Sequence, residues 1–173
     1  MFEMIDVYAA NEQDDQVVDL NPWIELARNV LIDQGVKGDA EVSLLFVDEA
    51  AIASLNEQFL NKSGPTDVLS FPIEDEPLPS GRFPDSGGSG PGSDATQPLL
   101  TLLGDVVICP KVAFRNASEN GLRYEDEMAL LIVHGLLHLL GMDHVDDIEA
   151  EKMEALEQLL LGRFYRGESI EHK

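Results

Sequence analysis

The sequence predicts an α+β fold: one mixed four-stranded sheet packed with about five helices around a single core. Short apolar runs, such as Leu44-Leu45-Phe46-Val47, have the length of buried strands, and longer segments repeat apolar residues at helical spacing. The resulting order is strand, helix, strand, helix, strand, strand, helix, helix, helix. A chain of 173 residues can bury a core without disulfides, so we expect residues 1–173 to form one domain.

The four strands are predicted from apolar runs and partial polar–apolar alternation. Pro72 favours an edge position or a strand end for the third run, because proline lacks an amide donor. Gly104-Asp105 interrupts the fourth run, and Cys109 after it is expected in the core. The predicted strands cover residues 3–9, 41–47, 68–73 and 99–109.

Five helices are predicted from helical spacing with start and stop signals; Asn21-Pro22, for example, caps and begins the first. The helices are expected to begin near residues 22, 49, 110, 124 and 147 and to end near residues 35, 64, 121, 140 and 162. The fourth is apolar on every face over residues 128–133, so it should be central and buried. The last is expected to bury Ile148, Leu156, Leu159 and Leu160.

Residues 74–98 hold five of the nine prolines among glycine, serine and aspartate. Such a segment buries too little apolar surface to order itself, which predicts a disordered loop. The alternative is that this segment forms a lid over a functional site.

The charge balance restricts the function. Asp and Glu number 33 against 11 Lys and Arg, for a formal charge of −22. This charge disfavours non-specific binding to nucleic acid or anionic membranes, so a polyanionic substrate would need a local cation such as a metal ion. The single cysteine excludes an internal disulfide. We expect no signal peptide and no membrane span, and hence a cytoplasmic protein.

Three of the four histidines fall in one stretch. His134 and His138 are four apart on the predicted fourth helix, so both rings project from one face. Gly141 offers a helix stop, and His144 follows closely enough to fold back beside them. The apolar run from Ile132 to Leu140 contains no serine, threonine or carboxylate to satisfy the first two rings, and an unpaired buried polar group costs roughly 1–3 kcal/mol. A shared metal ion removes that cost; two core histidines bonded to carbonyl groups are the alternative.

The number of ligands favours a catalytic zinc ion. Structural zinc sites usually have four protein ligands, commonly including Cys, and the sequence offers no further cluster. Three neutral imidazoles leave the ion its full charge, which lowers the pKa of bound water to about 7 and suits hydrolysis. Nickel and copper also suit three histidines. Zinc peptidases with a helical motif carry Glu directly after the first His; here that residue is Gly135, which argues against that chemistry.

Three motifs occur in order: Pro65-Thr-Asp-Val-Leu-Ser-Phe-Pro72, Leu103-Gly-Asp-Val-Val-Ile108 and His134-Gly-Leu-Leu-His-Leu-Leu-Gly-Met-Asp-His144. Together they resemble the YbeY family of bacterial endoribonucleases and rRNA maturation factors, over most of residues 40–160. The resemblance implies one mixed four-stranded sheet and one Zn²⁺ bound by His134, His138 and His144. It also implies 3′-end maturation of small-subunit (16S) rRNA, ribosome quality control, and contact with rRNA or the small ribosomal subunit and with an assembly GTPase or a ribosomal protein.

The chain departs from the family at two positions. Met142 replaces a common Tyr, and Leu60 stands where many members have an Arg facing the metal cleft. Leucine cannot stabilise charge on a phosphoryl group. Lys62 matches a basic position of the same family segment, and we hypothesise that it supplies part of the missing cation; a solvated loop lysine is the alternative.

Ser70 and Asp105 are further candidate cleft residues, although Asp105 can equally cap a bend in its strand. Lys111 and Arg115 form a basic patch that is either a phosphate contact or a solvated face. Two rival functions stay open: a metallohydrolase acting on a peptide or another substrate, and a non-catalytic ribosome-assembly factor with a structural metal. The nucleophile, water or the 2′-hydroxyl of the RNA, is open as well.

Overall fold

The computed structural model describes residues 4–73, 100–143 and 145–167, which hold four strands and five helices. The predicted α+β class is confirmed, whereas the loop predicted over residues 74–98 lies outside the described residues. The strands are β1 (Ile5–Glu12), β2 (Ala40–Val47), β3 (Val68–Pro72) and β4 (Thr101–Ile108). The helices are α1 (Leu20–Asp33), α2 (Glu49–Leu60), α3 (Pro110–Asn120), α4 (Tyr124–Leu139) and α5 (Asp147–Phe164).

The sheet is mixed, with the strand order β1-β2-β4-β3. The pairs β1–β2 and β2–β4 are parallel, and β3 runs antiparallel to β4 at the edge. Pro72 is the last residue of this edge strand, as its missing amide donor predicts. The fourth strand is not interrupted at Gly104-Asp105; instead, its register with β2 shifts between Glu41 and Val42, so the strand continues through an irregularity.

Helix α4 is the centre of the main core, as its continuous apolar run predicts. It contacts α1, α3, α5, β3 and β4, and Met128, Ile132 and Leu136 are completely buried. A smaller cluster, formed by Ile52 of α2 with residues of β2, β3 and β4, also contains Cys109. Burial raises the pKa of the Cys109 thiol, in agreement with the expected core position. No helix in the described ranges is both long and apolar enough to cross a membrane.

The buried face of α5 differs from the prediction. Ile148 and Leu159 are 65% and 50% exposed, so their expected burial is wrong. With about 3.6 residues per turn, both lie on the side opposite the stripe that does face the core. That stripe consists of Met153, Glu157, Leu160 and Leu161.

Gly135 allows α4 to lie directly on the sheet. A Cβ atom built at this position would be 2.6 Å from a methyl carbon of Val106 and 3.2 Å from Oγ of Ser70. These residues are paired across β4 and β3, so the helix approaches both strands at one point. The side chain of a zinc-peptidase glutamate has no room here.

We predict that Gly135→Ala destabilises the fold. At an exposed helical position this change would stabilise by about 1 kcal/mol. Here the added methyl group overpacks the contact with Val106, so a net loss of about 1–3 kcal/mol in the free energy of unfolding is expected. Chemical denaturation measures it, and an unchanged or increased stability would contradict the close approach.

Candidate metal centre

The side chains of His134 and His138 meet on one face of α4. Their Nε2 atoms are 3.1 Å apart, and the rings are nearly perpendicular, with centroids 4.6 Å apart and an interplanar angle of 81°. The four-residue spacing produces this arrangement, because residues i and i+4 of a helix lie one turn apart on the same side.

The distance between the two nitrogens fits a shared metal ion. Two nitrogen ligands bound at 2.0–2.1 Å with tetrahedral geometry are ~3.3 Å apart. A single proton between the two Nε2 atoms also suits a separation of 3.1 Å. The separation of the two nitrogens is therefore compatible with a shared metal ion without rearrangement of the helix.

The third predicted ligand, His144, lies outside the described residues. Within the described ranges, no group of three or more His, Cys, Asp or Glu side chains is arranged to hold a metal ion. The assignment of His144 as a ligand therefore stays a prediction, as does the identity of the ion.

A carboxylate from another helix contacts the first ring. Oε2 of Glu157 is 2.5 Å from Nδ1 of His134, and the Glu157 side chain is 6% exposed. The apolar run around the two rings has no carboxylate of its own, but α5 supplies one from 23 positions further along the chain. The signal was present in the sequence: Glu157 stands in the core-facing stripe of α5, where an acidic residue needs a partner.

The histidine pair borders a cleft of about 600 Å³ between α4, β3 and the loop after α2. Two of the three candidate cleft residues, Lys62 and Ser70, line it. Asp105 is absent from the lining formed by the described residues. Its neighbour in β4, Val106, faces α4, so the alternation of side chains along the strand turns Asp105 towards the opposite face of the sheet. The residues that line the cleft are Leu60, Lys62, Val68, Leu69, Ser70, Pro72, His134, His138, Gly141, Met142 and Asp143.

A buried asparagine holds Lys62 beside the cleft. Asn61 ends α2 in the left-handed conformation, and the Lys62 amide donates to the carbonyl oxygen of Asn56 at 3.2 Å. The Asn56 side chain, 5% exposed as a residue, donates in turn to the carbonyl oxygen of Gly64 at 3.0 Å. Among the described residues that line the cleft, Lys62 is the one lysine or arginine, next to the apolar Leu60.

The basic patch on α3 is paired with an acid. Lys111 and Arg115 both contact Glu49, at 3.7 and 2.7 Å. The hydrogen bond from Arg115 lowers the pKa of the Glu49 carboxyl, so this group stays ionised and offsets one of the two positive charges. Neither cation is among the residues that line the cleft. The geometry favours the solvated-face interpretation.

Comparison with known proteins identifies the family. The sequence model of the family described as Endoribonuclease YbeY matches residues 8–165. A relative of that name from Beutenbergia cavernae is 44% identical over 150 residues, which cover 87% of this chain and 91% of the relative. A second, from Mycolicibacterium vanbaalenii, is 44% identical over 138 residues, covering 80% and 69%.

The chain belongs to the YbeY family of endoribonucleases. A solved structure agrees at the level of the fold. The solution structure of TM1509 from Thermotoga maritima superposes with a TM-score of 0.55 over 98% of this chain and 99% of that one, at 24% identity.

Three acids lie close to His134, and two of them, Glu127 and Glu157, are buried. A cavity of about 240 Å³ is lined by Asp67, Glu127, His134 and Glu157 among apolar residues. Burial raises the pKa of the Glu127 carboxyl, and the nearby Asp67 raises it further, whereas a hydrogen bond from Asn116 opposes both. Asn116 also donates to Asp67 at 3.2 Å, so this network joins the start of β3 to α3 and α4. The sequence motifs alone did not indicate it.

Ser70 holds α4 against the edge strand. Its Oγ donates to the carbonyl oxygen of Gly135 at 2.9 Å. We predict that Ser70→Ala lowers the free energy of unfolding by about 1 kcal/mol, the usual contribution of one such hydrogen bond. Chemical denaturation measures the loss, with Ser63→Ala in the exposed loop as the matched control. Equal stability of the two variants would contradict an anchoring role for Ser70.

Proposed function

We propose that this protein is a zinc-dependent endoribonuclease that matures the 3′ end of small-subunit rRNA. One Zn²⁺ would be held by His134, His138 and His144. The observation that carries the proposal is the histidine pair, whose Nε2 atoms lie 3.1 Å apart at the border of a cleft that also contains Lys62. Its relatives from Beutenbergia cavernae and Mycolicibacterium vanbaalenii are named endoribonucleases, which supports RNA as the substrate.

The bound ion would supply Lewis-acid chemistry at a phosphoryl oxygen and lower the pKa of bound water. The residues of the chain do the rest. The imidazoles of His134 and His138 would hold the ion together with His144, and the contact of Ser70 with Gly135 keeps their helix beside the cleft. The Lys62 ammonium group attracts the scissile phosphodiester.

Local positive charge matters in this protein because the whole chain repels RNA. With a formal charge of −22, non-specific binding of a polyanion is disfavoured. A doubly charged ion and Lys62 would give the cleft a local positive charge that attracts RNA. This arrangement favours cleavage of RNA delivered by a specific partner over cleavage of RNA met at random. We propose that the partner is the small ribosomal subunit in the cytoplasm, reached through a ribosomal protein or an assembly GTPase, and that ribosome quality control uses the same activity.

We predict that His138→Ala abolishes cleavage of a small-subunit rRNA 3′ precursor and leaves the fold intact. Loss of one ligand removes the ion, and a fall of about 100-fold or more in rate corresponds to the several kcal/mol that a metal contributes. Gel analysis of the precursor measures cleavage, and circular dichroism measures the fold. His172→Ala, outside the predicted ligand set, is the matched control.

Undiminished cleavage by His138→Ala would contradict the proposal. Collapse of the fold with metal loss, together with no cleavage by carefully purified wild type, would instead support an assembly factor with a structural ion.

We predict that Lys62→Ala slows cleavage about 10-fold, because one charge contact to the phosphodiester is lost. Lys37→Ala is the control: this lysine is also exposed but is not among the residues that line the cleft. Initial rates at fixed zinc concentration compare the two. If both variants cleave as fast as wild type, Lys62 does not replace the cation that Leu60 fails to supply.

A further inference from the structure

Glu157 is an acid in an apolar setting. It is 5% exposed and lies on the face of α5 that also buries Met153, Leu160 and Leu161. Burying a carboxylate costs several kcal/mol unless hydrogen bonds or an opposite charge compensate. Its side chain contacts Nδ1 of His134, at 2.5 Å. The cost of burial therefore has to be offset largely at this one contact.

The contact determines which ring nitrogen of His134 carries the proton. A carboxylate accepts hydrogen bonds and does not donate them, so Nδ1 of His134 must be the donor. In a neutral imidazole the other nitrogen, Nε2, then holds a lone pair. That atom is the one that lies 3.1 Å from Nε2 of His138, at the cleft. Free neutral histidine favours the opposite form, with the proton on Nε2, so the protein has to impose this one.

We propose that Glu157 is a positioning residue that fixes His134 as the Nδ1–H tautomer and orients its Nε2 lone pair towards the metal. The proposal rests on the proposed function, since it assigns a role towards the ion. The ring is then held from two helices, by its own backbone in α4 and by a carboxylate from α5. A carboxylate behind a metal-binding imidazole also makes it a stronger ligand, and loss of such a partner typically weakens metal binding 10- to 100-fold.

The contact also links metal binding to the docking of the last helix. Glu157 keeps its geometry only while Met153 and Leu160, both essentially buried, hold α5 against the core. Because linkage is reciprocal, an ion that requires the Glu157–His134 contact stabilises the docked helix. Zinc should therefore slow amide exchange along α5 in the wild type, and this protection should be lost when the carboxylate is removed.

The test compares Glu157→Gln with Glu151→Gln in the full chain. Each removes one negative charge from α5, but Glu151 is exposed. Zinc affinity is measured by competition with a chromophoric chelator, and the stability of the metal-free proteins by chemical denaturation. We expect Glu157→Gln to bind zinc 10- to 100-fold more weakly than wild type, with Glu151→Gln within about twofold. Equal zinc affinities of wild type and Glu157→Gln would overturn the proposal. A loss of zinc affinity that is fully explained by a lower free energy of unfolding of the metal-free variant would overturn it as well.

A second measurement needs no variant of Glu157. Long-range ¹H–¹⁵N correlations of the imidazole rings in the metal-free wild type, at alkaline pH, report which nitrogen of His134 carries the proton. The signal is assigned by its absence in His134→Ala. The Nδ1–H form is expected, and the Nε2–H form would overturn the proposal even if Glu157→Gln does not fold. Wild type that binds no zinc at all would overturn the proposed function, and with it this role for Glu157.

Discussion

The close approach of α4 to the sheet is the constraint on which the site depends. Gly135 lets the helix lie against Val106 and Ser70, and the hydrogen bond from Ser70 Oγ to the Gly135 carbonyl holds it there. His134 and His138 flank this contact, so its position decides where their rings meet the cleft. Gly135 also occupies the position at which the helical motif of zinc peptidases has its general base, a glutamate. One glycine therefore influences both the geometry and the class of chemistry.

Electrostatics define the second constraint. An acidic chain with a formal charge of −22 needs concentrated positive charge wherever it meets RNA. On α3, Lys111 and Arg115 share Glu49, which offsets one of their two positive charges. At the cleft, Lys62 is held by the loop that the buried Asn56 organises. The acids Asp67, Glu127 and Glu157, of which the last two are buried, line a separate cavity at His134 and not the cleft.

Local patterns predicted most of the fold and part of the site. Helical spacing predicted that His134 and His138 share a face, and Pro72 predicted the edge strand, because both effects act within a few residues. Glu157 was missed because it reaches His134 only after α5 docks, and the position of Asp105 was open because strand pairing decides which face it occupies. Ile148 and Leu159 were assigned to the core with Leu156 and Leu160, but α5 docks with the face of Met153 and Glu157 inwards, so both side chains are exposed. Tertiary packing decided these three cases.

Zinc stoichiometry tests the central claim most directly. Protein purified without chelators and dialysed against trace zinc should retain one ion per chain by elemental analysis, because the proposed site combines three imidazole ligands with a carboxylate that supports one of them. The double variant His134→Ala/His138→Ala should retain none. Wild type without bound metal, or a double variant that retains a full equivalent, would contradict the account.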